Sequence, residues 1–118
     1  MKKVLIIEDD MDTLELLGVI TRQSNYEAVL HSNVLPIEEI EQINPSLIIL
    51  DHWINDHLGG NLCGKLKSNP KTRDIPIVML SAIIEIGQIA FDNRADGSLS
   101  KPFDIEEIES VLECYLCD

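Results

Sequence analysis

The sequence predicts a doubly wound α/β fold, in which five parallel strands form one sheet with helices on both faces. Runs of four aliphatic residues at 4–7, 47–50 and 77–80 have the length and composition of strands buried on both faces. Segments with helical spacing of apolar residues alternate with these runs, which is the pattern of βαβ units. Polar residues follow each run directly, so the ends of the strands are candidates for a functional site.

The first helix is expected to follow the run at 4–7. Asp12 and Glu15 have the spacing of a capping box in which Asp12 is the cap. Leu14 and Leu17 then recur at helical spacing and, with the residues around them, give this helix one apolar face.

A second strand and a second helix are predicted before the run at 47–50. Residues 26–30 are less apolar than the other strands, which indicates a strand at an edge of the sheet. Pro36 can open a helix, and Ile37, Ile40 and Ile43 are spaced so that they face inward.

A loop is expected at 52–60, followed by a short helix that ends at 68–70, where Pro70 cannot continue it. His52 and His57 lie in this loop and are interpreted as solvent-facing. The same interpretation makes Asp10, after the first strand, a solvated neighbour of the strand end.

The C-terminal third is expected to contain a short helix, a short strand and a longer helix. Residues 83–94 leave room for only about two helical turns, because Gly87 and a polar end interrupt the pattern. A strand follows at 98–100, and the last helix begins near Asp104. The residues expected to be buried on that helix are Ile105, Ile108, Val111, Leu112, Tyr115 and Leu116.

Composition limits the classes of function. The 118 residues suffice for one domain with one core, and a hydrophobic fraction of 45% with 4% aromatic residues means that aliphatic side chains fill it. The formal charge of −12 argues against direct binding to nucleic acid and to an anionic membrane surface. No segment approaches the ~20 apolar residues of a membrane-spanning helix, so a cytoplasmic location is expected.

The three cysteines are interpreted as incidental thiols in a reducing compartment. Cys114 and Cys117 have C-x-x-C spacing, but they lie in the last turn of the predicted final helix. A redox pair is expected at a helix N-terminus, where the thiolate is stabilised.

The side chains after the predicted strands form a chemically coherent set: Glu8, Asp9, Asp51, Ser81 and Lys101. Right-handed crossovers bring the carboxyl ends of parallel strands to one edge of the sheet. Three carboxylates there repel one another, and Mg²⁺ is the natural cation to neutralise them. An aspartate beside a cation, an amine and a hydroxyl is suited to nucleophilic attack on phosphorus.

The motifs that carry these residues resemble those of the receiver domain of two-component response regulators. They are VLIIEDD at 4–10, LIILD at 47–51, PIVMLSA at 76–82 and LSKPF at 99–103. The resemblance covers the whole chain and implies a single flavodoxin-like (βα)5 domain over residues 1–118, comparable to a stand-alone chemotaxis regulator.

The resemblance assigns a role to each residue of the set. It makes Asp51 the phosphoacceptor, Ser81 the switch hydroxyl and Lys101 the amine that pairs with the phosphoryl group. It also implies a Mg²⁺ site, formed by the following groups: the carboxylates of Glu8, Asp9 and Asp51, and the backbone carbonyl of Trp53. Of the acidic pair, Asp9 is the more direct ligand. The family also leads us to expect a cis bond between Lys101 and Pro102.

The function implied by the resemblance is signalling rather than classical enzymatic turnover. The chain would take a phosphoryl group from a phosphohistidine of a sensor histidine kinase or a histidine phosphotransfer protein onto Asp51. It would then signal by contact with a downstream protein, without binding nucleic acid or a membrane. The resemblance is also compatible with a weak homodimer. Its own slow dephosphorylation is expected, because the apolar side chains of Trp53 and Ile83 would border the path of the hydrolytic water.

The chain departs from the family pattern in three places, and the last two departures favour an alternative that the complete acidic set opposes. Residues 54–55 are Ile-Asn where the family has a hydrophobic residue and proline, so a less rigid loop is expected. Ser98 stands where the family has a switch aromatic, and the stretch between Ser81 and Lys101 is about two residues short by our alignment with the family. The alternative is a pseudo-receiver, which would be a constitutive protein-binding module without phosphorylation.

Two further classes fit the residues less well. A haloacid-dehalogenase-like phosphatase needs a second acid two residues after its nucleophile, and Trp53 stands there. A nucleotide-binding Rossmann domain needs a glycine-rich first turn, whereas residues 8–10 are acidic.

Overall fold

The computed structural model describes residues 1–83 and 85–117, and in this part of the chain five parallel strands form a sheet with five helices around it. In chain order the elements are β1 (Lys3–Ile7), α1 (Met11–Gln23), β2 (Glu27–His31), α2 (Ile37–Ile43), β3 (Leu47–Asp51), β4 (Trp53–Ile54), β5 (His57–Leu58), α3 (Gly59–Ser68), β6 (Ile77–Ser81), α4 (Ile86–Asp92), β7 (Gly97–Ser100) and α5 (Ile105–Leu116). The strand order of the sheet is β2-β1-β3-β6-β7. The predicted doubly wound, flavodoxin-like fold is therefore confirmed, with β2 at an edge.

The alternation of side chains along the central strands builds two cores, one on each face of the sheet, where the chain length led us to expect one. Leu5 and Ile7 of β1 belong to the core beneath α2, α3 and α4. Val4 and Ile6 belong to the core beneath α1 and α5. Because β1, β3 and β6 are covered on both sides, the polar groups at their carboxyl ends are held by a rigid scaffold.

The start of α1 differs from the prediction. Asp10, not Asp12, is the N-cap, and its Oδ2 accepts hydrogen bonds from the backbone N–H of Thr13 at 3.0 Å and from the Thr13 hydroxyl at 2.5 Å. These two bonds lower the pKa of Asp10. Asp10 is exposed, as predicted, and is in addition the cap of α1, whereas the predicted capping box at Asp12 and Glu15 was wrong.

The predicted loop at 52–60 contains a small hairpin. β4 and β5 are antiparallel, and the two residues between them, Asn55 and Asp56, have φ values of 45° and 68°. Positive φ at both positions is the geometry of a type I′ turn, which matches the twist of a two-residue hairpin. The segment that lacks the proline of the family pattern thus forms a paired hairpin.

His52, which was interpreted as solvent-facing, is buried. Its Nδ1 accepts a hydrogen bond from the backbone N–H of Gly60 at 3.2 Å, and its backbone N–H donates to the carbonyl of Leu80 at 2.9 Å. His52 therefore joins the end of β3 to α3 and β6. His57 is exposed, in agreement with the prediction.

The C-terminal elements follow the prediction except in the burial of some residues of α5, where Val111 and Tyr115 are only half-buried. α4 has seven residues, which is the two turns expected. Asp104 caps α5 in a capping box with Glu107. Ile105 was predicted to be buried but is 52% exposed, because contact of this helix with the sheet begins one turn later, at Ile108.

The cysteines are thiols in two environments. Cys63 is buried in the core, and burial raises its pKa to about 11. Cys114 and Cys117 are exposed at the end of α5. None of the helices in the described part of the chain is long and apolar enough to cross a bilayer.

Candidate functional site

The register of the sheet brings the predicted site residues to one edge. Asp51 is paired with Leu80, and Ser81 is paired with Ser100, directly before Lys101. Glu8 follows the last residue of β1, which pairs with Leu50. The carboxyl ends of β1, β3, β6 and β7 are therefore neighbours.

Three carboxylates form the centre of this site. One oxygen each of Glu8, Asp9 and Asp51 lies within 4.8 Å of the other two. Glu8 is fully buried, Asp51 is 5% exposed, and Asp9 is half-buried. Carboxylates so close to one another and so little hydrated need a cation or protons to offset their repulsion.

Lys101 supplies part of that compensation. Its Nζ lies 2.5 Å from Oε1 of Glu8 and 3.4 Å from Oδ2 of Asp51. One ammonium can balance one of three negative charges, so the fully ionised cluster retains an excess of negative charge. This donor set of carboxylate oxygens with excess charge fits a hard divalent cation.

The electrostatics of the cluster appear in two pKa shifts. Burial raises the pKa of Glu8 to about 7; the nearby carboxylate of Asp51 adds to this shift, and the hydrogen bond from Lys101 opposes it. Burial by itself would lower the pKa of Lys101, but the carboxylates of Glu8 and Asp51 outweigh it and raise that pKa. The amine of Lys101 therefore stays protonated, whereas the carboxylate of Glu8 is protonated more readily than an ordinary glutamate.

Asp9 is held from the hairpin. Its Oδ2 accepts a hydrogen bond from the backbone N–H of Asn55 at 3.0 Å. The side-chain amide of Asn55 in turn donates to the carbonyl of Ser32 at 2.8 Å. In the sequence, Asn55 was noted only because it replaces the proline of the family pattern. The pair Asn55-Asp56 is itself a turn signal, and it was missed.

The hairpin also fixes the backbone of Trp53. Gly59 donates its N–H to the carbonyl of His52, and Trp53 is paired with Leu58 at the next position. Hydrogen-bonded and non-hydrogen-bonded pairs alternate in an antiparallel ladder, so the Trp53 carbonyl points away from β5. The Trp53 side chain is 50% exposed.

Ser81 lies at the end of β6 and is buried. Its Oγ accepts a hydrogen bond from the backbone N–H of Ile83 at 3.1 Å. The Ser81 carbonyl accepts from the backbone N–H of Lys101 at 2.9 Å, and the Lys101–Pro102 bond is cis, as expected. The hydroxyl acts as an acceptor here, so its proton is available to another oxygen.

The structure thus brings Glu8, Asp9, Asp51 and Lys101 into one cluster and places Ser81 on the strand beside Asp51. Two residues with contacts at the site were missed as contributors: His52 and Asn55. Their contacts are made to segments distant in sequence, which no local pattern reveals.

Comparison with known proteins agrees with the family that the sequence motifs predicted. The family model of the response regulator receiver domain matches residues 4–113. The chain is 33% identical to the DNA-binding dual master transcriptional regulator RpaA of Synechocystis sp., over 98% of this chain and 49% of that protein. The chain spans about half the length of the curated relatives it matches.

Solved structures show the same fold. A two-component response regulator from Clostridium difficile has a TM-score of 0.83 and 26% identity, covering 98% of this chain and 96% of that one. The receiver domain of sensor histidine kinase PA1611 from Pseudomonas aeruginosa PAO1, with a magnesium ion coordinated in its active site cleft, has a TM-score of 0.87. At 18% identity, over 99% of this chain and 98% of that one, the latter likeness concerns the fold. With the family model spanning nearly the whole sequence, the chain belongs to the family of response regulator receiver domains of two-component systems.

Proposed function

We propose that this receiver domain accepts a phosphoryl group on Asp51 from a phosphohistidine of a sensor histidine kinase or a histidine phosphotransfer protein. The observation that carries the proposal is the buried carboxylate of Asp51 at a strand end, with Lys101 Nζ 3.4 Å away and the acids Glu8 and Asp9 beside it. A phosphorylated domain of this kind signals by protein contact, and its target is a protein of unknown identity.

The reaction is a substitution at phosphorus. A carboxylate oxygen of Asp51 forms the new P–O bond while the P–N bond to the donor imidazole breaks, and the imidazole leaves with its electron pair and takes up a proton. Lys101 already lies within ion-pairing distance of Asp51, so its ammonium is positioned to meet the charge on the transferred oxygens. The Ser81 hydroxyl can donate to one of those oxygens.

The excess negative charge of the cluster supports a Mg²⁺ site. Glu8, Asp9 and Asp51 would hold the ion with their carboxylates, and Trp53 with a backbone carbonyl that its hairpin position leaves pointing away from β5. When bound, Mg²⁺ supplies charge neutralisation that lets the phosphoryl group approach three acids.

The lifetime of the phosphoryl group depends on side chains at the mouth of the site. Trp53 lies two residues after Asp51, and the backbone N–H of Ile83 donates to Oγ of Ser81 at 3.1 Å, so both apolar residues flank the site that water would have to reach. Replacing Ile83 with glutamate, which can orient a water molecule, is expected to shorten the half-life of the phosphorylated form by up to about 100-fold. Replacing Trp53 with asparagine should act in the same direction.

The half-life is measured as the loss of phosphoryl mass after removal of the donor. Phe91→Glu is a matched control, because Phe91 is an exposed apolar residue on α4. Equal half-lives for the parent protein, Ile83→Glu and Trp53→Asn would contradict the obstruction of water.

A second candidate is a pseudo-receiver that binds a protein constitutively. Ser98 favours it, because this exposed residue of β7 is small where the family has a switch aromatic. The intact acidic cluster with its paired lysine favours phosphorylation instead.

The test of the proposed function is intact mass after incubation with Mg²⁺ and acetyl phosphate. The parent protein is expected to gain one phosphoryl group, whereas Asp51→Asn, and the parent without Mg²⁺, are expected to gain none. Folding of Asp51→Asn is checked by circular dichroism. A folded parent protein that binds Mg²⁺ but gains no mass would favour the pseudo-receiver.

A further inference from the structure

Asn55 connects three segments that are distant in sequence. It is the first residue of the hairpin turn, its backbone N–H donates to Oδ2 of Asp9 at 3.0 Å, and its side-chain Nδ2 donates to the carbonyl of Ser32 at 2.8 Å. Ser32 lies in the connection between β2 and α2. A single residue thus links the acidic cluster, the hairpin and that connection.

Asparagine makes both contacts at once, one through its backbone and one through its side chain. At a φ of 45° asparagine is among the few non-glycine residues that are well tolerated. A proline would have no N–H for Asp9, and its φ is fixed near −65°. A glycine would keep the bond to Asp9 but would have no amide for Ser32.

The bond to Asp9 bears on the binding of a cation. It occupies one lone pair of Oδ2 and orients the carboxylate, whose other lone pairs remain available. Bonds of this kind to a metal ligand typically tune affinity through the ligand's orientation. The same hairpin carries Trp53, so its placement also determines where that carbonyl lies.

We propose that Asn55 is a positioning residue for Asp9 in the metal site and couples occupation of this site to the β2–α2 connection through Ser32. The inference rests on the proposed Mg²⁺ site and deepens it. Coupling between two equilibria is reciprocal. If the hydrogen bond from Asn55 to Ser32 strengthens binding of the cation, then binding of the cation stabilises this hydrogen bond by the same free energy.

The experiment compares the parent protein with Asn55→Gly by calorimetric titration with Mg²⁺ and by amide NMR spectra during the same titration. Asn55→Gly keeps the N–H that holds Asp9 but loses the tether to Ser32 and gains backbone freedom in the turn, so Asp9 is less firmly positioned. The variant is expected to bind Mg²⁺ more weakly, by up to about 10-fold. In the parent, amide resonances of residues 32–34 are expected to shift on addition of Mg²⁺, and in the variant this response should be lost. If Asn55 had only a structural role, its replacement would leave the Mg²⁺-dependent shifts of the amide resonances of residues 32–34 unchanged.

Two further variants complete the design. Asn25→Gly is the matched control, because Asn25 also has a positive φ, of 70°, and lies in the turn after α1; its affinity should equal that of the parent. Asn55→Asp keeps the backbone N–H and the turn, but its carboxylate cannot donate to Ser32, so it should also lose the response at 32–34.

The outcomes separate this inference from the proposed function. Equal Mg²⁺ affinities for the parent and Asn55→Gly, with the response at residues 32–34 retained, would overturn the role of Asn55 and leave the metal site intact. A parent protein that binds no Mg²⁺ would overturn the metal site and this role together.

Discussion

Replacing Lys101 with methionine is expected to slow phosphorylation of Asp51 by about 100-fold or more, which is the usual loss when one preorganised donor to the transition state is removed. Lys101 Nζ lies 3.4 Å from Oδ2 of Asp51 and 2.5 Å from Oε1 of Glu8. Methionine preserves the length of the side chain but cannot meet the negative charge of the transferred oxygens. The rate is measured by intact mass during incubation with acetyl phosphate.

The same variant should not bind Mg²⁺ more weakly, because removal of a positive charge makes the cluster of carboxylates more attractive to a cation. A loss of rate with undiminished affinity, measured by calorimetry, therefore separates the chemical role of the amine from damage to the metal site.

Lys67→Met is the control for Lys101→Met, because Lys67 is a little-exposed lysine on α3 that forms an ion pair with Asp96 at 2.7 Å, outside the acidic cluster. It is expected to be phosphorylated at the parental rate. Phosphorylation of Lys101→Met at the parental rate would contradict the assigned role of Lys101.

Replacing Gly59 with alanine is expected to lower the free energy of unfolding by about 1–3 kcal/mol, the usual cost of overpacking that forces the backbone to shift. A Cβ at Gly59 would lie 2.0 Å from the backbone carbonyl oxygen of Asp51. Since that oxygen belongs to β3, relief of the clash has to move the start of α3 or Asp51 itself, the proposed phosphoacceptor. Phosphorylation should therefore slow as well.

Gly64→Ala is the matched control in the same helix. The nearest atom to a Cβ there is Oδ1 of Asn93 at 3.4 Å, an ordinary contact, and alanine is favoured over glycine inside a helix by about 1 kcal/mol. Gly64→Ala should be as stable as the parent or more so. Urea denaturation gives both values, and equal stability of Gly59→Ala and the parent would contradict the close approach of α3 to Asp51.

The central strands were predictable because their signals are local and strong. Four consecutive aliphatic residues in β1, β3 and β6, bounded by polar residues, are typical of a strand covered on both faces. The strand order was implied only by the resemblance to a flavodoxin-like family. The predicted position of β2 was one residue early, since its composition is mixed and its edge position imposes a weaker pattern.

Predictions failed where two neighbouring residues carry the same local signal, or where contacts with residues distant in sequence determine the burial of a side chain. Asp10 and Asp12 are equally good helix caps by residue type. The helix begins after Asp10, whose backbone N–H also donates to Oε2 of Glu8 at 3.2 Å. The burial of His52 depends on Gly60 and Leu80. The strands of the hairpin have only two residues each, so its local signal was limited to the turn pair Asn55-Asp56.

The sequence by itself determined the fold and the chemical character of one sheet edge, because both follow from periodicity and from the residue types after buried strands. The tertiary structure decided the distances within that edge: Lys101 between Glu8 and Asp51, the bond of Asn55 to Asp9, and the approach of Gly59 to Asp51. These contacts join residues that are up to 93 positions apart. Their geometry is set by packing of the whole chain, which local sequence patterns do not encode.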